Sequence, residues 1–194
     1  ICAAMETDFR KRRLAWATDF RLRQTFGPFA IRAGRVNLEP DLMFRDRPLR
    51  MLEIFRLALE QNADVHPQAL QRITRGLHAL GESTRNDPQA AAEFLAILTS
   101  KHNPERVLRL MNESGVLGRF LPDFGKIVAM MQFDMYHSFT VDEHTIQVIG
   151  ILHQIESGGL AKTAPVATAV MPEIDARRAL FVAALLHDIA KGRL

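Results

Sequence analysis

Near the C-terminal end of the sequence, three side chains have types and spacing suited to chemistry: His144, His187 and Asp188. His187 and Asp188 are adjacent and close the apolar run Phe181-Val182-Ala183-Ala184-Leu185-Leu186, after which come Ile189, Ala190, Lys191 and Gly192. The run reads as a helix whose last turn carries the His-Asp pair and which stops at the glycine. Nearly every residue before His187 is apolar, so the helix is predicted to be buried on most sides. An imidazole and a carboxylate buried side by side need partners, because polar and charged groups are costly to bury unpaired. A divalent metal ion satisfies both, since neutral imidazole and carboxylate are common ligands. A hydrogen-bonded histidine beside an exposed aspartate at a helix end is the plainer alternative.

The pair has company upstream. In Tyr136-His137-Ser138-Phe139-Thr140-Val141-Asp142-Glu143-His144-Thr145, Thr140 and Glu143 have the spacing of a capping box, so a helix is predicted to start there. His144, Val148, Ile151 and Ile155 follow at i, i+4, i+7 and i+11 and share one apolar face. His144 is therefore predicted to point inward, and His153, half a turn around, outward. Asp142 in the first turn is read as a complement to the helix dipole. His137 precedes the cap, and its place is left open.

These elements carry a resemblance. An inward histidine followed by a helix ending in His-Asp resembles the first half of an HD-type metal-dependent phosphohydrolase. More narrowly, the run Met131 to His144 joined with Leu185 to Arg193 resembles the bifunctional uridylyltransferase/uridylyl-removing enzymes, which act on the nitrogen-regulatory PII protein. A second segment agrees: Phe44-Arg45-Asp46-Arg47-Pro48-Leu49-Arg50-Met51-Leu52, with Phe55-Arg56-Leu57-Ala58, resembles the helical element that follows the catalytic palm in tRNA-nucleotidyltransferase-like enzymes. The resemblance implies His144, His187 and Asp188 as ligands of a divalent ion, Mg²⁺ or Mn²⁺. It implies metal-assisted hydrolysis of the phosphodiester joining uridylate to a tyrosine of PII. Lys191 is then a candidate catalytic residue that neutralises a phosphate oxygen; a cation complementing the helix C-terminus is its other reading. UTP, UMP and PII are the implied partners of the parent enzyme.

The rest of the chain must position these residues. At 194 residues, 47% hydrophobic and 24% charged, it has an ordinary globular composition with a mild net charge of +3. It has no apolar run near the ~18 residues of a membrane span and no signal peptide. Its single cysteine, Cys2, excludes an internal disulfide framework and points to the cytoplasm. Residues 6–26 read as an amphipathic helix with a basic solvated face; Phe9, Trp16 and Phe20 opposite suit packing, so nucleic acid is not an expected partner. Ile31 to Leu38 is the only strand-like piece, a small hairpin around Gly34 closed by Pro40. Helices are predicted from Asp46 through about Gln61, from Pro67, from Asp87-Pro88 and from Asn103-Pro104 to Gly115. Their inward faces hold Leu49, Leu52, Phe55 and Leu59, then Leu70, Ile73, Leu77 and Leu80, then Phe94, Ile97 and Leu98, then Val107, Leu108 and Met111. His66, His78 and His102 are read as surface or capping residues. Ser157-Gly158-Gly159 stops the His144 helix, Lys162 to Pro172 is a loop or short helix, and Glu173 to Gly192 is the His-Asp helix.

The expected fold is mainly α: a helical linker domain over 1–124, and the N-terminal half of an HD domain over 125–194. The palm is absent, as is any Gly-rich phosphate loop. The ends at Ile1 and Leu194 read as those of a piece of a longer chain. In the family, the sequence after Lys-Gly-Arg continues into a Gly-Gly-Asp-His-Ser-like stretch and a later metal-binding Asp, which Leu194 does not match. Weak metal binding, no useful turnover and self-association are therefore expected of the chain alone. Two alternatives stand: an HD phosphohydrolase acting on a nucleotide or alarmone, and a non-enzymatic helical interaction module.

Overall fold

The structure, a computed structural model, describes residues 24–39, 44–130 and 139–193. The N-terminal described segment is a four-stranded sheet in the order β1 (Gln24–Phe26), β2 (Phe29–Arg32), β3 (Arg35–Leu38) and β4 (Asp64–Val65). The sheet is larger than the predicted hairpin, and residues 24–26, predicted as the end of a helix, are strand. The rest of that helix lies outside the described residues. Gly27 (φ 56°) turns the chain so that Phe26 pairs with Phe29. Ala33 (φ 51°) and Gly34 (φ 69°) form the two-residue left-handed turn that suits strand twist. The two-residue β4 has no alternating pattern to read. It pairs in parallel with β3, Val36 opposite Val65, because helix α1 (Arg50–Glu60) carries the chain back over the sheet.

The predicted mainly α architecture holds. After β4 come α2 (Pro67–Gly76), α3 (Glu82–Arg85), α4 (Pro88–Leu98), α5 (Pro104–Glu113), α6 (Val116–Phe120), α7 (Pro122–Gly125), α8 (Val141–Glu156), α9 (Pro165–Val170) and α10 (Arg177–Leu186). Proline starts helices as read: His66 Nδ1 accepts from Gln68 N–H ahead of α2, and Asp87 Oδ1 from Gln89 N–H ahead of α4. Asp46, however, does not cap α1. Its first turn is supplied by the carbonyls of Arg47 and Pro48, so the helix begins later, at Arg50. Leu77, predicted on α2, lies in a 3₁₀ turn that follows it. One core runs through the molecule, from Met51, Leu52 and Phe55 of α1 through Ile97, Leu108 and Met111 to Ile146 and Ile149 of α8 and Phe181 of α10. The α6–α7 corner packs backbone on backbone: a Cβ added to Gly125 would lie 2.8 Å from the Gly118 carbonyl oxygen.

Candidate metal centre

The centre is built by two helices and a turn. Helix α8 starts at Val141 with Thr140 in the N-cap position, as predicted, but no capping box forms. Glu143 instead pairs with Arg109 of α5. The face assignment of α8 is also corrected. Its buried residues are Val141, Asp142, Thr145, Ile146, Ile149 and Gly150, whereas His144 and Val148 are half-buried and Ile151 is exposed. His153, predicted outward, lies on the Asp142-Ile146-Ile149 stripe that packs on α5. Its Nδ1 is buried with no hydrogen-bond partner among the described residues, and burial pulls its pKa down. The two stripes of α8 have the same period, and spacing alone cannot choose between them. Both are used: α8 lies between α5 and α10.

The predicted helix to Gly192 is shorter as well. Helix α10 ends at Leu186, and only Phe181 and Leu185 are buried in it. His187 and Asp188 sit in the turn between α10 and a 3₁₀ segment, Ile189–Arg193. That segment lies close against the end of α7: a Cβ on Gly192 would be 2.8 Å from Lys126 Cβ. At the far end of the α8–α10 pair, Arg177 donates to Glu156 Oε2 (2.7 Å) and to the Thr99 carbonyl (2.8 Å), and stacks 4.7 Å from the Phe181 ring centroid. Lys101 also reaches Glu156, and the Arg177 hydrogen bonds, ahead of the opposing effect of burial, pull the Glu156 pKa down to about 2.

This frame brings the predicted residues together. A ring nitrogen of His144, a ring nitrogen of His187 and a carboxylate oxygen of Asp188 all lie within 4.8 Å of one another. The two imidazoles meet edge to face, with centroids 5.6 Å apart. His187 Nδ1 lies 2.7 Å from the Ala184 carbonyl, which only accepts, so Nδ1 carries the proton. In the neutral ring, Nε2 is then a bare lone pair, and it faces Asp188 Oδ2 at 3.4 Å. Two lone pairs in that arrangement repel unless a proton or a cation lies between them. Lys191 Nζ donates to the same Oδ2 at 2.7 Å. Burial works to raise the Asp188 pKa. The Lys191 hydrogen bond and the neighbouring His187, Lys191 and His144 side chains outweigh it, and the carboxyl pKa lies below its ordinary value. His137 lies outside the described residues. Two open clefts lie elsewhere, one lined by Asp64, Arg106 and Arg109, the other by Phe44, Arg45 and Arg75.

The fold and the cluster define a mainly α protein with a small sheet and a His-His-Asp group of metal-ligating type. Residues 29–120 match the family model described as uridylyltransferase GlnD third domain. The whole chain is similar to bifunctional uridylyltransferase/uridylyl-removing enzymes: 47% identical to that of Azospirillum brasilense and 45% to that of Rhodospirillum rubrum, in each case over 100% of this chain and 21% of the relative. The relative from Novosphingobium aromaticivorans is 46% identical over 95% of the chain and 20% of its own length. The chain belongs to this family and spans about a fifth of the length of these relatives. No helix among the described residues is long and apolar enough to cross a membrane.

Proposed function

We propose that this chain is the segment of a cytoplasmic bifunctional uridylyltransferase/uridylyl-removing enzyme that carries part of the uridylyl-removing site, with His144, His187 and Asp188 as ligands of one divalent ion. The observation that carries the reading is the convergence within 4.8 Å of a His144 ring nitrogen with ligand atoms of His187 and Asp188, which lie over forty positions further along the chain. The His187 Nδ1 bond to Ala184 supports it, because it aims Nε2 into the cluster, as the outer hydrogen bond of a metal-bound histidine does. Two imidazoles and one carboxylate leave coordination positions open for water and substrate. This donor set suits Mn²⁺ better than Mg²⁺, which prefers oxygen ligands throughout.

When bound, the ion would polarise a phosphoryl oxygen and lower the pKa of a coordinated water. The chain's own residues do the rest. Ala184 fixes the tautomer of His187. Lys191 holds the Asp188 carboxylate ionised and oriented, and its remaining N–H groups can meet a phosphate oxygen. The substrate in this reading is uridylylated PII, with UMP as the product. A titration with Mn²⁺, followed by paramagnetic broadening of the His144 and His187 ring resonances, tests the ion. Broadening in the wild type that disappears in His187→Ala/Asp188→Ala is the expected result; equal broadening in both would refute the ligand assignment. In the full-length enzyme the same double substitution is expected to abolish uridylate removal and leave uridylyl transfer in place.

A further inference from the structure

We infer that Asp142 and Asn112 form a latch that sets the rotation of α8 and so positions the His144 ring; the inference rests on the reading of His144 as a metal ligand. Asp142 is 5% exposed, although it sits in the first turn of a helix. Its Oδ2 accepts from Asn112 Nδ2 of α5 at 2.7 Å, and its Oδ1 accepts from the Ala129 N–H at 3.2 Å. Ala129 has φ 57°, a left-handed conformation that an alanine adopts only when its surroundings hold it there. The Val141 N–H donates to the Met130 carbonyl (3.0 Å), and Glu143 pairs with Arg109. The three residues ahead of His144 are thus each tied to α5 or to the segment after α7.

His144 follows Asp142 by two residues, ~200° around the helix, and faces His187 rather than α5. Asp142 therefore belongs to the wall opposite the candidate centre and is not one of its ligands. A well-packed apolar pair would stabilise this contact about as well as a buried carboxylate–amide pair. What directional hydrogen bonds add is a fixed rotation. A turn of α8 by ~20° would swing a ring ~6 Å from the helix axis by ~2 Å, whereas a working site tolerates ~0.5 Å. Asn112 lies within the segment that matches the third-domain model, so that domain supplies the anchor for a residue of the centre.

The test is a set of variants of the 194-residue chain, read by the His144 imidazole resonances and by their Mn²⁺ broadening, with circular dichroism as the monitor of folding. Asn112→Asp puts two carboxylates face to face. It is expected to move the His144 resonances and to weaken the Mn²⁺ response about tenfold or more. Asp142→Asn alone is expected to stay near wild type, because the Asn112 amide can turn and present Oδ1, which now has no partner among the described residues. The double variant Asn112→Asp/Asp142→Asn exchanges amide and carboxylate and is expected to restore the wild-type spectrum. If Asn112→Asp does not fold, Asn112→Ala, which removes the donor without adding charge, takes its place and should shift the same resonances. Unchanged His144 resonances in a folded Asn112→Asp or Asn112→Ala chain, or no recovery in the double variant, would overturn the latch. Absence of any Mn²⁺ response in the wild type would instead count against the metal reading, while the His144 resonances still decide the latch.

Discussion

Asp188 concentrates the chemistry at the residue scale: one carboxylate answers to two imidazoles and a lysine, its Oδ2 lying 3.4 Å from His187 Nε2 and 2.7 Å from Lys191 Nζ. Removing His144 alone should therefore weaken the Mn²⁺ response as removing His187 does. His153→Ala, on the α5 side of α8, should leave that response intact. Two other residues set a pH dependence. Glu156 is held by Arg177 and Lys101 with its pKa lowered to about 2, so its contribution is present above its ordinary pKa of 4.5 and is lost as pH falls from there through about 2. The lost stability is on the order of 2–3 kcal/mol. Burial lowers the His153 pKa, so the folded state also loses stability as pH falls through the ordinary histidine value of 6.5. Urea midpoints of wild type and Glu156→Gln should differ at pH 7 and converge near pH 2. A constant difference across that range would mean that the carboxylate's charge is not what matters.

Close backbone approaches decide the element scale. The α6–α7 corner brings Gly118 and Gly125 together with no room for a side chain, and the obstacle is backbone that cannot turn aside. Gly125→Ala is expected to cost ~1–3 kcal/mol, measured as a lower urea midpoint at unchanged slope. A midpoint equal to wild type would show that the corner can open freely. The same corner bears on the centre, because Gly192 lets the 3₁₀ segment that follows Asp188 sit against Lys126 and Ile127. At the other end, Arg177 fastens α10 to α8 and to the end of α4. Helix α8, which carries His144, and helix α10, which leads into His187, are thus tied at both ends.

Over the whole molecule, one core joins the sheet, the matched third-domain segment and the two site helices. Apolar side chains are nevertheless left outside it: Val166 is 76% exposed, Val170 47%, Leu186 43% and Ile151 42%. Exposed apolar surface on α8, α9 and α10 tends to find partners. The isolated chain is expected to self-associate at high concentration, and the double substitution Val166→Glu/Ile151→Glu to reduce that association. Analytical ultracentrifugation checks both, and a wild-type chain that stays monomeric at every concentration would show that this surface is inert.

The sequence by itself determined the helices that begin at Asp87-Pro88 and Asn103-Pro104, the glycine that ends α8, the mainly α class and the identity of the clustered residues. These follow from local chemistry: proline and capping side chains act within one turn, and the His-Asp pair and its neighbours carry a recognisable pattern. Only the tertiary structure decided which stripe of α8 is buried. Asp142-Ile146-Ile149-His153 and His144-Val148-Ile151-Ile155 have the same spacing, and the choice depends on α5, over thirty residues away. It also decided that Glu143 turns to Arg109 instead of closing a capping box, that β4 completes the sheet, and that Asp142, in the first turn of α8, is buried against Asn112. Each of these outcomes is a contact between residues distant in the chain, and no periodicity within a single segment contains it.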